Sequence, residues 1–267
     1  MKSVCQTLLV PRLIVADAFE SPMSVGEKSY FAWQIFGRIQ GKRAAQYLQQ
    51  INNIQTLSTT LARALYDFHN AGDVVAKAYD SHGSSGYVCD ECDFRESRIS
   101  GVTENFHKLS PSMADVALMK TLETDLEEKY AQYDHTCSKV LHGDLTTNNF
   151  HVDAVGRVVG IMDASICRAP VETEFFPLAR HPNLMFKAAK AYGYVSQSPL
   201  DMDFVFLAST AAQLHFSKIV GPERLSCVAA CLNVLGDSAL PQRSFYRHNA
   251  QRLMRDLRST APHPDPF

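Results

Sequence analysis

Val140-Leu141-His142-Gly143-Asp144-Leu145-Thr146-Thr147-Asn148-Asn149-Phe150 is the stretch on which the reading of this chain turns. Asp163 follows 14 residues after Asn149, in Gly160-Ile161-Met162-Asp163. Between the two, His151-Val152-Asp153 and Arg157-Val158-Val159-Gly160-Ile161 read as short strands. They flank the turn Asp153-Ala154-Val155-Gly156, a pattern that predicts a β-hairpin. Such a hairpin returns Asp163 to the side of Asn149, so that His142, Asp144, Asn149 and Asp163 share one small volume within 22 residues.

That set of groups suits one chemistry. Transfer of a γ-phosphoryl group needs a carboxylate to receive and orient the acceptor hydroxyl, and oxygen ligands to hold Mg²⁺ against the nucleotide's phosphates. Asp144 can be the first; Asn149 and Asp163 can be the second. Each also has a plainer reading. Asp144 could accept backbone hydrogen bonds within its loop, Asn149 could tie its own turn, and Asp163 could close a turn at a strand end. Random composition would produce His-x-Asp-x4-Asn in roughly one chain in 100 of this length, so the in-register triplet outweighs coincidence.

The segment His142-Gly143-Asp144-Leu145 with Asn149 and Asp163 resembles the aminoglycoside phosphotransferase and choline kinase family, whose pattern is HGDLxxxN, a hairpin, then an aspartate after an apolar strand. The resemblance implies an α+β, protein-kinase-like fold with a mainly helical C-lobe. It implies ATP or GTP with Mg²⁺ as cofactors and a small hydroxyl-bearing acceptor: aminoglycoside-, choline- or sugar-like. His142, grouped with Asp144 and Asn149 in the catalytic set, is similar to a structural histidine that packs and hydrogen-bonds the loop. Residues 57–69, ending in Asp67-Phe68-His69, look like the family helix that lies under that loop. Residues 10–16 and 29–37 resemble the fourth and fifth N-lobe strands. Backbone near Phe36, Gly37 and Ile39, at the start of the hinge, is then expected to meet the nucleotide base. Ala169-Pro170-Val171-Glu172-Thr173-Glu174-Phe175 stands where the family carries GDPxxDLA, with Glu174 in place of the usual aspartate and the register open.

The resemblance also implies a phosphate-covering hairpin, a strand lysine and a helix glutamate ahead of the position where this chain begins. The expectation is therefore an N-lobe remnant over 1–41, a helical C-lobe with the catalytic loop over 42–260, and a disordered tail over 261–267. A protein so built would bind nucleotide poorly, and a pseudokinase acting as a binding module is the alternative to a working enzyme.

Periodicity predicts the remaining organisation. A short helix is expected over 43–50 and a longer one over 55–69, with Leu57, Leu61, Leu65 and Phe68 as its apolar stripe. Residues 70–109 read as a long irregular connection. Ser110-Pro111 opens a helix whose buried face carries Val116, Met119, Leu122, Leu126 and Tyr130. Further helices are expected over 201–220, 222–235 and 244–258.

Composition narrows the alternatives. A formal charge of −2 and a pI near 6.5 offer no electrostatic footprint for nucleic acid, and no apolar run reaches the roughly 18 residues of a membrane span. Without a signal-like start, a cytoplasmic location is the default expectation. The seven cysteines are scattered and odd in number, unlike a secreted disulfide framework. Cys89 and Cys92 near His82 supply one ligand pair where structural zinc usually takes two. Gly37-Arg38-Ile39-Gln40-Gly41-Lys42-Arg43 fails as a phosphate loop, because it is one residue short between the glycines and has Arg43 where Ser or Thr is needed. Gly26-Glu27-Lys28-Ser29 is better explained as a turn. Glu172, Glu174, Asp201 and Asp203 are available to a cationic acceptor, and surface solvation explains them equally well.

Overall fold

The computed structural model describes residues 13–20, 30–36, 40–50, 54–72, 113–133, 137–220 and 223–260. The expectations for Gly37, Ile39, His82, Cys89, Cys92, the Ser110-Pro111 cap and the 261–267 tail lie outside them.

The first two strands, β1 (Leu13–Glu20) and β2 (Tyr30–Phe36), pair antiparallel from Leu13 opposite Phe36 to Glu20 opposite Tyr30. The first strand thus runs about one turn's length later than residues 10–16, while the second matches closely. After the two-residue β3 (Lys42–Arg43) come α1 (Ala44–Gln50) and α2 (Ile54–Asn70). Helix α3 spans Met113–Gln132 and is followed by β4 (Lys139–Leu141), β5 (Phe150–Val152), β6 (Val158–Ile161) and β7 (Cys167–Ala169). A 3-10 helix, Val171–Arg180, leads into α4 (Pro182–Ser196), α5 (Met202–Val220), α6 (Glu223–Gly236) and α7 (Arg243–Thr260). The architecture is α+β and mostly helical, as expected.

Two small sheets frame the stretch from His142 to Asp163. Strands run β3-β5-β6 in one and β4-β7 in the other, all antiparallel. Alternation decides their facing: Phe150 and Val152 of β5 are buried while His151 between them is half-buried. The expected β5–β6 turn forms because Asp153 Oδ1 accepts from the N–H groups of Val155 and Arg157 at 3.0 and 2.9 Å. Gly156 there has φ of +86°, and a Cβ on it would stand 2.4 Å from the Tyr47 hydroxyl. The positive φ is what selects glycine.

Helix α2 is the platform beneath. Leu57, Leu61 and Leu65 recur on one face and are fully buried, each contributing about 1.5–3 kcal/mol of transfer free energy. The helix packs on α4 and also meets β4 and β6. Thr60 Oγ1 accepts from the Val158 N–H at 3.1 Å, tying the hairpin to the platform. Helices α5, α6 and α7 stack in succession, and α3 packs on α5. The tie between α3 and α7 is a buried hydrogen bond, Tyr246 hydroxyl to Asp125 Oδ2 at 2.6 Å.

Helix α4 had no counterpart among the expected elements. Pro182 sits at its first turn, where a missing N–H costs nothing, and its buried face is built of Leu184, Met185, Ala188, Ala189 and Tyr192. Small alanines in the middle and Gly193 near the end blur the apolar stripe that periodicity relies on.

Candidate active site

Two loops carry the candidate residues: 142–149 between β4 and β5, and 162–166 between β6 and β7. They are cross-braced. The Met162 N–H donates to Asn149 O at 2.8 Å and the Ser165 N–H to His142 O at 2.8 Å. The ring of His142 completes the brace, pairing through Nε2 with Met162 O at 2.8 Å. A carbonyl can only accept, so Nε2 carries the proton and donates, and Nδ1 is left to accept from the Asp144 N–H at 3.3 Å. His142 is fully buried. Its bonding is that of a loop strut.

Close packing of the two loops explains Gly143. Its φ is +77°, and a Cβ would lie 2.0 Å from Ser165 O, a contact no side chain can occupy. The glycine of His-Gly-Asp is therefore a geometric requirement of bringing residue 165 against residue 143.

Asp144 is half-buried, and Asn149 is 9% exposed. The Asn149 side-chain amide donates to Asp144 O at 2.8 Å and to Asp144 Oδ2 at 3.0 Å. This orients the Asn149 Oδ1 away from the pair, and it has no hydrogen-bond partner among the described residues. Asn148, by contrast, is exposed. Asp163 is exposed and adopts φ of +56°, a left-handed conformation that aspartate tolerates better than most residues. Its carboxylate makes no hydrogen bond or ion pair with any described residue. The structure thus brings Asp144, Asn149 and Asp163 onto two braced loops and leaves several of their oxygens uncommitted. Hard divalent cations take such oxygen donors, so Asn149 and Asp163 fit Mg²⁺ in donor chemistry. No group of three or more His, Cys, Asp or Glu residues suited to a metal occurs among the described residues. Phe36 ends β2, and Gly37 and Ile39 lie outside the described residues.

Glu174 plays a part that periodicity does not reveal. It is 1% exposed, and its carboxylate accepts from the backbone N–H groups of His142 at 2.7 Å and Gly143 at 3.2 Å. His69, at the end of α2, pairs with the same carboxylate through Nε2 at 3.1 Å. Both N–H groups belong to the loop that presents Asp144, so Glu174 and His69 hold it from beneath. Glu174 is accordingly withdrawn from the acidic residues available to an acceptor.

Glu172 faces elsewhere. It is 8% exposed, with Oε1 accepting from the Asp201 N–H at 3.2 Å, and Asp201 in turn pairs with Lys129 at 2.6 Å. Burial pushes the Glu172 carboxyl above its ordinary range and the nearby Asp201 adds to this, against hydrogen bonds from its own and the Asp201 N–H groups. A raised native value means that the protonated form is favoured by folding. The associated stability is present below about pH 4.5 and is lost as pH rises through the native value. Glu172→Gln keeps the acceptor and removes the charge. It is expected to melt above the wild type at pH 7.5, with the difference closing towards pH 4 in thermal melts; a difference independent of pH would refute the assignment.

The class defined by this architecture is the protein-kinase-like fold. A choline/ethanolamine kinase family protein from Mesorhizobium loti superposes with a TM-score of 0.50 at 12% identity, covering 91% of this chain and 78% of the other. A type VIII aminoglycoside-3'-phosphotransferase gives 0.49 at 16% identity, over 77% and 74% of the two chains. A streptomycin–ATP ternary complex of an aminoglycoside 2''-phosphotransferase gives 0.46 at 12%, over 93% and 74%. At 12% identity the likeness to the choline/ethanolamine kinase family protein is one of fold. No protein-family model matches the chain, and no curated protein sequence does either.

Proposed function

We propose that this protein transfers the γ-phosphoryl group of a nucleotide, ATP or GTP, to a hydroxyl of a small molecule. The observation that carries the reading is the Asp144–Asn149 pair. The Asn149 amide is spent on Asp144, fixing the carboxylate, while the Asn149 Oδ1 and the Asp163 carboxylate have no partners among the described residues. Asn149 and Asp163 would hold Mg²⁺, which when bound supplies charge neutralisation at the transferring phosphoryl group. Asp144 orients the acceptor hydroxyl and takes its proton, its second oxygen being uncommitted among the described residues. The His142 brace and the Glu174 anchor keep these groups in place without further reorganisation, which is where such sites gain rate. Phe36, Gly37 and Ile39 are assigned to the nucleotide base.

No helix of the described residues is long and apolar enough to cross a membrane, and partners are taken to be the nucleotide and the small acceptor. Aminoglycosides, choline-like amino alcohols and sugars are the acceptor classes to screen.

Thermal-shift titration with Mg-ATP and Mg-GTP, followed by a phosphotransfer assay across those acceptors, tests the reading. Nucleotide at a hundredfold excess over Kd is expected to raise the melting midpoint by about 5–10 °C. Failure of both nucleotides to shift it at millimolar concentration, with no phosphorylated product, would overturn the proposal in favour of a binding module without turnover.

A further inference from the structure

Beneath the Asp144 loop lies a buried chain of polar groups that the proposed chemistry does not use directly. Glu174 accepts from the His142 and Gly143 N–H groups and faces His69 Nε2; on the other side of the ring, His69 Nδ1 lies 2.8 Å from the Tyr192 hydroxyl. His69 and Tyr192 are each only 4% exposed, so water cannot substitute for a missing partner.

Counting protons fixes the direction of each bond. A bare Nε2 lone pair at 3.1 Å from a carboxylate that is already an acceptor would be repulsive, so Nε2 carries hydrogen and donates to Glu174. The Tyr192 O–H has no other partner than Nδ1 among the described residues. Were Nδ1 also protonated, the hydroxyl would have to accept from it and its own hydrogen would be buried without an acceptor. Only one arrangement satisfies every group: Tyr192 donates to Nδ1, and Nε2–H donates to Glu174. Burial, and next the nearby Glu174, push the Tyr192 phenol upward, which keeps it a donor. Its ring is held by edge contacts with Tyr66 at 6.2 Å and Phe175 at 6.0 Å.

We propose that Tyr192 is a positioning residue: its hydroxyl donates to Nδ1 and fixes the His69 ring, whose Nε2–H, set by Glu174, then holds that carboxylate against the backbone of the Asp144 loop. Its consequence for turnover rests on the phosphotransferase reading above; its consequence for the loop does not. The residue lies on α4 and reaches the loop through His69 of α2 and Glu174 of the 3-10 helix.

Histidine-selective ¹⁵N NMR on the full chain reads the ring nitrogens. The expected wild-type signature for His69 is a protonated Nε2 and an unprotonated Nδ1. In Tyr192→Phe the Nδ1 signal should shift as its donor is lost while Nε2 stays protonated, and amide exchange at His142 and Gly143 should quicken about tenfold, the equivalent of one buried hydrogen bond. Tyr66→Phe, which alters the same aromatic contact, should leave both as in the wild type. In the phosphotransfer assay Tyr192→Phe should lower kcat about tenfold with the nucleotide KM unchanged. A wild-type His69 bearing its only proton on Nδ1 overturns the proposal, and decides it even if Tyr192→Phe does not fold. Wild-type ring nitrogens and amide exchange in Tyr192→Phe overturn it too. Altered ring and amide signals in a protein that transfers no phosphoryl group support the positioning role and remove the phosphotransferase reading instead.

Discussion

Asp144→Asn is expected to fold as the wild type does and to lose phosphotransfer by about 10²–10⁴-fold in kcat, the range a positioned general base contributes. The substitution is nearly isosteric. Asn149 donates to Asp144 through the backbone O and the side-chain Oδ2, and an asparagine at 144 can offer a carbonyl oxygen in the same place. The melting midpoint should therefore stay within about 2 °C. What disappears is a carboxylate able to take the acceptor's proton. Nucleotide affinity, read by thermal shift with Mg-ATP, should persist, since Asn149 and Asp163 are intact. A variant retaining wild-type kcat with every acceptor that the wild type uses would remove Asp144 from the reaction.

How much of this arrangement could be read from residues alone follows from sequence distance. His142, Asp144, Asn149 and Asp163 were legible because one hairpin, announced by its turn residues, determines where all four go. Even Gly143 sits within that local unit, although its reason, the approach of Ser165 O, is visible only in three dimensions. The stripe of α2 was legible for the same cause: Leu57, Leu61 and Leu65 repeat at helical spacing and are buried together. The protein-kinase-like architecture implied by these segments agrees with the fold likeness to the choline/ethanolamine kinase family protein.

The underside of the loop was not legible to the same degree. His69 meets Glu174 across 105 positions and Tyr192 across 123, and no period links residues so far apart. Glu174 stands in a 3-10 helix with Glu172 two positions before it; the resemblance set Glu174 at the family's aspartate with the register open, and spacing alone does not tell which acid turns inward to the loop. Burial distinguishes them only in part, since both are enclosed; their partners do so fully. Tyr192 was hidden further, because α4 itself has a blurred apolar pattern. Local signals thus specify the upper face of the site, where the candidate oxygens are presented. Tertiary packing supplies the face beneath.

That lower face should dominate stability, and Glu174→Ala is the variant expected to show it. The alanine would leave the N–H groups of His142 and Gly143 and the Nε2–H of His69 buried and without their acceptor. Each orphaned donor costs about 1–3 kcal/mol, and removing one partner of a buried charged network typically costs about 3–5 kcal/mol in all. For a chain of this size the melting midpoint should fall by roughly 6–20 °C. Glu174→Gln should fall less, because one amide oxygen can still accept from the loop while the amide nitrogen confronts a second donor. Glu174→Asp keeps the charge but is one methylene shorter, so it cannot reach the loop backbone and His69 together; it should lie between the other two. The glutamine variant, measured by thermal melts at neutral pH, separates an anchoring carboxylate from simple loss of volume, since it loses the charge without losing volume and should still melt below the wild type. An alanine variant melting within 2 °C of the wild type would show that the loop is held by its brace to residues 162–165 alone.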